Sequence, residues 1–137
     1  MTPRIHFLTL GCVDLDASVG FYEALGWTCT KHTPHHALFP LQGGLVLSLC
    51  PATELADHAG VACVPGAGVA LSHNVAASHD VQPLLDRAVA AGGVLTQRAQ
   101  AAPWGGVHGW FTDPSGVPWE VVWNPRVRVG ACPPDPG

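Results

Sequence analysis

The order strand–helix–strand–strand–strand occurs twice in this chain, at an offset of roughly 65–70 residues, and a repeat of that kind restricts the fold more than any single motif does. In the first unit, Arg4–Cys12 reads as a strand and Asp16–Leu25 as a helix. Three short strands follow at Thr28–Thr33, His36–Pro40 and Gly44–Cys50. The second unit repeats the order, with a strand at Val69–Val75, a helix at Asp80–Ala91, and strands at Val94–Gln100, Val107–Thr112 and Pro118–Trp123.

Local chemistry supports these boundaries. Asp14 or Asp16 can accept hydrogen bonds from the open N–H groups of the first helix, and Gly26 can end it. Leu15, Val19, Tyr22 and Leu25 fall three or four apart and make one apolar stripe. In the second helix Val81, Leu84, Leu85 and Ala88 share a face, Pro83 sits in the first turn, and Gly92-Gly93 stops it. Pro34, Gly43-Gly44 and Asp113-Pro114-Ser115-Gly116 have the chemistry of reversals.

The expected class is α+β. Each helix can cover only one face of its own four strands. Two such units would form a cup-like, partly closed mixed sheet with the helices outside. A single domain is expected over residues 1–125, with repeat one at about 4–50, a connector at 51–67 and repeat two at about 68–125. A short helix fits the connector near Thr53–His58. The Pro/Gly-rich tail, 126–137, reads as flexible.

Strand alternation sorts the side chains into two faces. Leu8, Leu10 and Cys12 share a face with His6, opposite Phe7, Thr9 and Gly11. Leu45, Leu47 and Leu49 oppose Val46, Ser48 and Cys50. Val69, Leu71 and Val75 share a face with His73, opposite Ser72 and Asn74. Trp119, Val121 and Trp123 oppose Glu120 and Val122. The greasy faces suit helices. The other faces should line a cavity whose polar groups are Thr9, Ser48, Ser72, Asn74 and Glu120, a composition suited to small molecules. Glu120 lies among Trp119, Val121, Val122 and Trp123, where a carboxylate must be hydrated, paired or bound to a cation.

Composition narrows the partners. With 47% hydrophobic and 12% charged residues, the chain can bury a core and does not read as disordered. Six Lys+Arg against ten Asp+Glu, with no basic cluster, disfavour nucleic acid. No apolar run approaches the roughly 20 residues of a membrane span, and no secretory leader is visible. A soluble cytoplasmic protein is expected. Cysteines 12, 29, 50, 63 and 132 show no C-x-x-C spacing and read as free thiols.

Three stretches carry a family resemblance. The run from Val13-Asp14-Leu15 through Ser18 to Phe21-Tyr22 and Leu25-Gly26-Trp27 is one. The helix end Ala91-Gly92-Gly93 is the second. Trp110-Phe111-Thr112-Asp113-Pro114-Ser115-Gly116-Val117-Pro118-Trp119-Glu120 is the third. Together they cover about residues 4–125, and the chain resembles the glyoxalase/bleomycin-resistance/extradiol-dioxygenase (vicinal oxygen chelate) superfamily. That fold hosts several chemistries, so it does not fix a reaction.

Metal-dependent members of that family carry ligands on the first and last strands of each unit. The resemblance maps those positions to Phe7, Ser48, a residue near Ala70, and Glu120. Only Glu120 is a good donor, and a catalytic site needs about three. No cofactor is expected, therefore, although a divalent metal held by Glu120 with His6 or His73 is an alternative if the strand parity is shifted by one. The resemblance also implies that the Trp110 position faces the cavity, which brings His108 and Thr112 to the same face. His108 and Glu120 are the candidate acid–base pair, because a histidine can exchange protons near neutral pH and a carboxylate can orient it. Phe7, Thr9, Ser48, Ser72, Asn74, Trp104 and Trp110 are the candidate ligand contacts. The remaining histidines, among them His32, His35, His36, His58 and His79, read as surface residues. A homodimer that binds a small, partly apolar molecule is expected. A metal-dependent lyase or dioxygenase, and a metal-free acid–base enzyme, are the alternatives.

Overall fold

The structure is a computed structural model that describes residues 1–129. The expected flexible tail falls mostly outside the described residues. Strand β1 (Phe7–Cys12) leads to helix α1 (Leu15–Ala24), then to β2 (Lys31–His32), β3 (Ala37–Pro40) and β4 (Val46–Pro51). Helix α2 (Ala52–Ala59) opens the connector. The second unit comprises β5 (Leu71–Asn74), α3 (Val81–Ala90), β6 (Val94–Ala101), β7 (Val107–Thr112) and β8 (Pro118–Trp123).

The strands form two four-stranded sheets, ordered β1-β4-β3-β2 and β5-β8-β7-β6. In each, the first strand of the unit runs parallel to the last and the other pairings are antiparallel. The repeat is thus reproduced in topology as well as in order. Register aligns Thr9 with Ser48 in the first sheet and Ser72 with Glu120 in the second. Among the described residues no strand pairs with the outer edge of β1 or β5, and no barrel closes.

Helix α1 begins where Asp14 accepts a 3.0 Å hydrogen bond from the Ala17 N–H. It ends at Gly26, whose φ of +97° only glycine adopts freely. The predicted stripe is buried at Leu15, Val19 and Tyr22, but Ser18 and Phe21 are buried as well. The wider arc has a cause. Tyr22 lies 5.9 Å from Phe39 of the first sheet and 6.1 Å from Trp119 of the second, and Phe21 lies 6.0 Å from Phe111. Helix α1 therefore packs on both sheets. Leu10, Leu47, Leu49, Phe111, Trp119 and Val121 join the residues of α1 and α3 in one continuous core. Full burial of each such side chain contributes about 1.5–3 kcal/mol.

A polar network fastens the units together. The Tyr22 hydroxyl donates to Asp113 Oδ2 at 2.7 Å and accepts from Trp119 Nε1 at 3.1 Å. Asp113 Oδ1 accepts from the N–H groups of Ser115 and Val117, both at 2.9 Å. Ser115 in turn contacts Ser18 at 3.1 Å and accepts from the Val13 N–H. The Asp-Pro-Ser-Gly turn of the second unit is thereby tied to the start of α1. Burial and the neighbouring Asp113 carboxylate push the Tyr22 phenol well above its ordinary pKa.

Because the greasy faces share this core, the outer faces of the two sheets look away from it. The first sheet is partly covered at its Gly11–Cys50 end. A Cβ on Gly11 would strike Cys63 Sγ and Ala52, so the connector and α2 lie against that surface. The connector therefore does more than link the units, which periodicity alone did not reveal.

Candidate functional site

The outer face of the second sheet gathers the polar candidates. His108 Nδ1 lies 2.8 Å from Glu120 Oε2, and Ser72 Oγ donates to Glu120 Oε1 at 3.2 Å. Ladder geometry accounts for the arrangement. Ser72 and Trp110 flank Glu120 directly, on β5 and β7 respectively, and His108 is two residues along β7 on the same face. The side chains of His108 and Glu120 each retain 19% of their surface in solvent.

An ionised carboxylate only accepts hydrogen bonds, so Nδ1 of His108 carries the proton of this bond. Nε2 makes no hydrogen bond to a protein group among the described residues. The imidazole sits between two indoles. Its ring centroid is 6.0 Å from Trp104 and 6.5 Å from Trp110, both edge-on. Trp104 lies down on Gly106, where a Cβ would collide with its ring and with the Trp123 carbonyl. Glycine at 106 is therefore a condition for this placement. Trp104 is still 42% exposed. The surface offers an aromatic row with a hydrogen-bonding centre, and among the described residues every fully buried side-chain polar atom has a partner.

The other candidates lie apart. Asn74 follows two residues after Ser72 on β5, beside Val122, outside the bonded group. Phe7, Thr9 and Ser48 belong to the first sheet. Phe7 is 57% exposed and Ser48 is buried, while Thr9 is exposed. His73 is on the core side of β5, opposite Ser72, and borders a cavity there while remaining solvent-exposed at its rim; partial burial lowers its pKa. His6 is exposed just ahead of β1 and its carbonyl accepts from the Val46 N–H. His73 is therefore not brought to the face that carries Glu120. Of the other histidines, His32 pairs with Asp16 at 3.0 Å and His35 with Glu54 at 2.9 Å, on exposed ground.

A resident divalent metal, which the family resemblance implies, does not fit the donors at these positions. Phe7 and Ala70 offer no ligand atom and Ser48 only a hydroxyl. Both oxygens of Glu120 are engaged by Ser72 and His108. Among the described residues no group of three or more His, Cys, Asp or Glu could hold a metal ion. Cys12, Cys29, Cys50 and Cys63 are free, and burial raises the pKa of Cys12 and Cys50.

The sequence profile of the Glyoxalase/Bleomycin resistance protein/Dioxygenase superfamily matches residues 4–121. Among solved structures, a glyoxalase-related enzyme from Fulvimarina pelagi superposes with a TM-score of 0.87 at 39% identity, covering 94% of each chain. A glyoxalase/bleomycin resistance protein/dioxygenase from Nocardioides gives 0.75 at 25% identity, covering 97% of this chain and 91% of its own. A lactoylglutathione lyase from Agrobacterium tumefaciens gives 0.65 at 22% identity, covering 90% and 96%, a likeness of fold alone. No curated protein matches the sequence.

Proposed function

We propose that this chain, which belongs to the Glyoxalase/Bleomycin resistance protein/Dioxygenase superfamily, binds a small, partly apolar or aromatic molecule against the outer face of its second sheet. Glu120, His108 and Ser72 are the hydrogen-bonding anchors, and Trp104 and Trp110 are the ring contacts. The observation that carries this reading is the 2.8 Å His108–Glu120 bond set between two indoles, with Gln97 and Gln100 across the ladder from Trp110 and His108. A pocket with apolar walls and a few convergent polar groups is the form that small-molecule sites take.

The same reading makes the cup a property of two chains. Phe7, Thr9 and Ser48 lie on the first sheet, whose outer face looks away from that of the second. A second copy of the chain, presenting its first sheet to the second sheet of its neighbour, would bring the two candidate sets together. The unpaired outer edges of β1 and β5 support such an association, since sheet edges are templates for further pairing. A two-fold dimer would hold two equivalent cups. The donor set favours binding without a resident metal. No helix of the described residues is long and apolar enough to cross a membrane.

One observation favours a second reading, acid–base catalysis. Glu120 holds Nδ1 of His108, and Nε2 has no protein partner among the described residues, so it is placed to exchange a proton with a bound carbonyl compound. The description of the Fulvimarina pelagi protein as a glyoxalase-related enzyme is consistent with it. Screening a library of small aromatic and carbonyl compounds by tryptophan fluorescence tests the binding reading. A hit that quenches the wild type and loses affinity in Glu120→Gln and Trp110→Leu supports it; hits indifferent to both substitutions refute it. If a hit is also turned over, His108→Gln should abolish turnover while leaving much of the binding. Equal loss of both would remove the catalytic reading.

A further inference from the structure

We infer that the chain has a second small-molecule site, a cavity on the core side of the second sheet that takes a compact monocarboxylate with a benzene-sized apolar body. The cavity measures about 160 Å³ and lies where the end of α1 and the flank of α3 meet the sheet. Leu25, Leu84, Val121 and the rings of Trp27, Phe111 and Trp119 make its walls. Trp119 stacks on Phe111 with only 4° between the ring planes, and Trp27 meets Trp119 edge-on at 5.7 Å. The walls thus offer flat aromatic surfaces at a right angle to one another. An apolar cavity of roughly 150 Å³ is known to hold a benzene ring.

The cavity also has a cationic side. Arg87 lines it, and among the described residues its guanidinium makes one hydrogen bond, from Nη2 to the Leu25 carbonyl at 3.2 Å, and no ion pair with a carboxylate. A guanidinium has five N–H donors in a planar fork that matches a carboxylate. His73 lines the rim of the same cavity, exposed to solvent, and partial burial holds its pKa below the ordinary histidine value, so near neutral pH it presents an uncharged imidazole able to donate one hydrogen bond. An apolar chamber bordered by a cation that pairs with no carboxylate among the described residues, and by a neutral donor, selects an anion with a greasy body over a neutral molecule of the same shape.

This site is separate from the face proposed above. His73 and Ser72 point to opposite sides of β5, and Trp119 and Val121 point to the opposite side of β8 from Glu120. Its test therefore does not depend on that reading. Benzoate and benzyl alcohol serve as charged and neutral probes, titrated into methyl-labelled protein and followed by NMR. Benzoate should shift the methyls of Leu25, Leu84 and Val121 saturably. Arg87→Met should weaken benzoate by about tenfold or more while changing benzyl alcohol by less than about twofold, tenfold being the scale of one charge-assisted contact. Leu84→Phe, which fills the cavity and keeps the charge, should abolish both. Non-saturable shifts at those methyls overturn the inference. So does benzoate affinity unchanged in Arg87→Met or retained in Leu84→Phe, provided each variant melts cooperatively.

Discussion

Replacing Tyr22 by Phe removes one oxygen atom and keeps the ring. The ring is fully buried and touches Phe21, Trp27, Phe39 and Trp119, so the apolar packing of the core is retained. Two groups lose partners. Asp113, itself 3% exposed, loses the 2.7 Å donor to Oδ2, and Trp119 Nε1 loses its 3.1 Å acceptor. A hydrogen bond to a buried carboxylate contributes about 2–3 kcal/mol and an unsatisfied buried N–H costs about 1–2 kcal/mol, so the substitution should destabilise the fold by about 3–5 kcal/mol. With a urea m-value of about 2 kcal/mol/M, the unfolding midpoint should fall by about 1.5–2.5 M, read by intrinsic fluorescence. Asp113→Asn should cost a comparable amount, and the double variant should cost less than the sum, since the two side chains share one bond. A loss below about 1 kcal/mol for Tyr22→Phe would refute the argument that this network fastens the two units.

Other consequences follow from single positions. Gly106→Ala should dislodge Trp104 from the sheet, because the added Cβ meets the indole and the Trp123 carbonyl; the His108 ring resonances should then move, and unchanged shifts would count against the stacking. Native Cys12 and Cys50 should resist iodoacetamide at pH 8, since burial raises both pKa values and the thiolate is the reactive form; peptide mass spectrometry showing rapid labelling at either would contradict this. The folded His73 pKa is lowered, so the unfolded chain binds the proton more tightly. Stability should therefore decline as pH falls below about 6.5, the unfolded value, and should level off below the folded pKa. His73→Gln should flatten that slope in urea titrations, and an unaltered slope would assign it to other groups.

Much of this architecture was legible in the chain because periodicity reports which face of an element is apolar. Strands β7 and β8 fall at the expected residues, and α1 and α3 differ from expectation by a residue at each end. Strand β2 shrinks to Lys31–His32, where exposed residues give alternation little to act on. What periodicity does not report is which sheet a helix packs on. Nothing in the stripe of α1 foretold that it joins both sheets, although Ser18, a buried hydroxyl beside Phe21 and Tyr22, was the available hint. The expected pair His108 and Glu120 does meet, because a single hairpin and strict alternation fix it. Bringing Phe7, Thr9 and Ser48 to the same place depends on how the two units face each other, which local pattern does not encode. Arg87 drew no attention in the sequence because its role depends on a gap between helices, a tertiary feature.

Sedimentation equilibrium tests the central claim, a cup shared by two chains, most directly. The wild type at micromolar concentration should fit a mass twice that of the 14.3 kDa chain. Thr9→Lys, which places a charge on the outer face of the first sheet without touching the core, should fit a single chain and lose ligand quenching at the Trp104–Trp110 face. A wild type that sediments as one chain, yet retains full quenching that responds to Glu120→Gln, would contradict the shared cup.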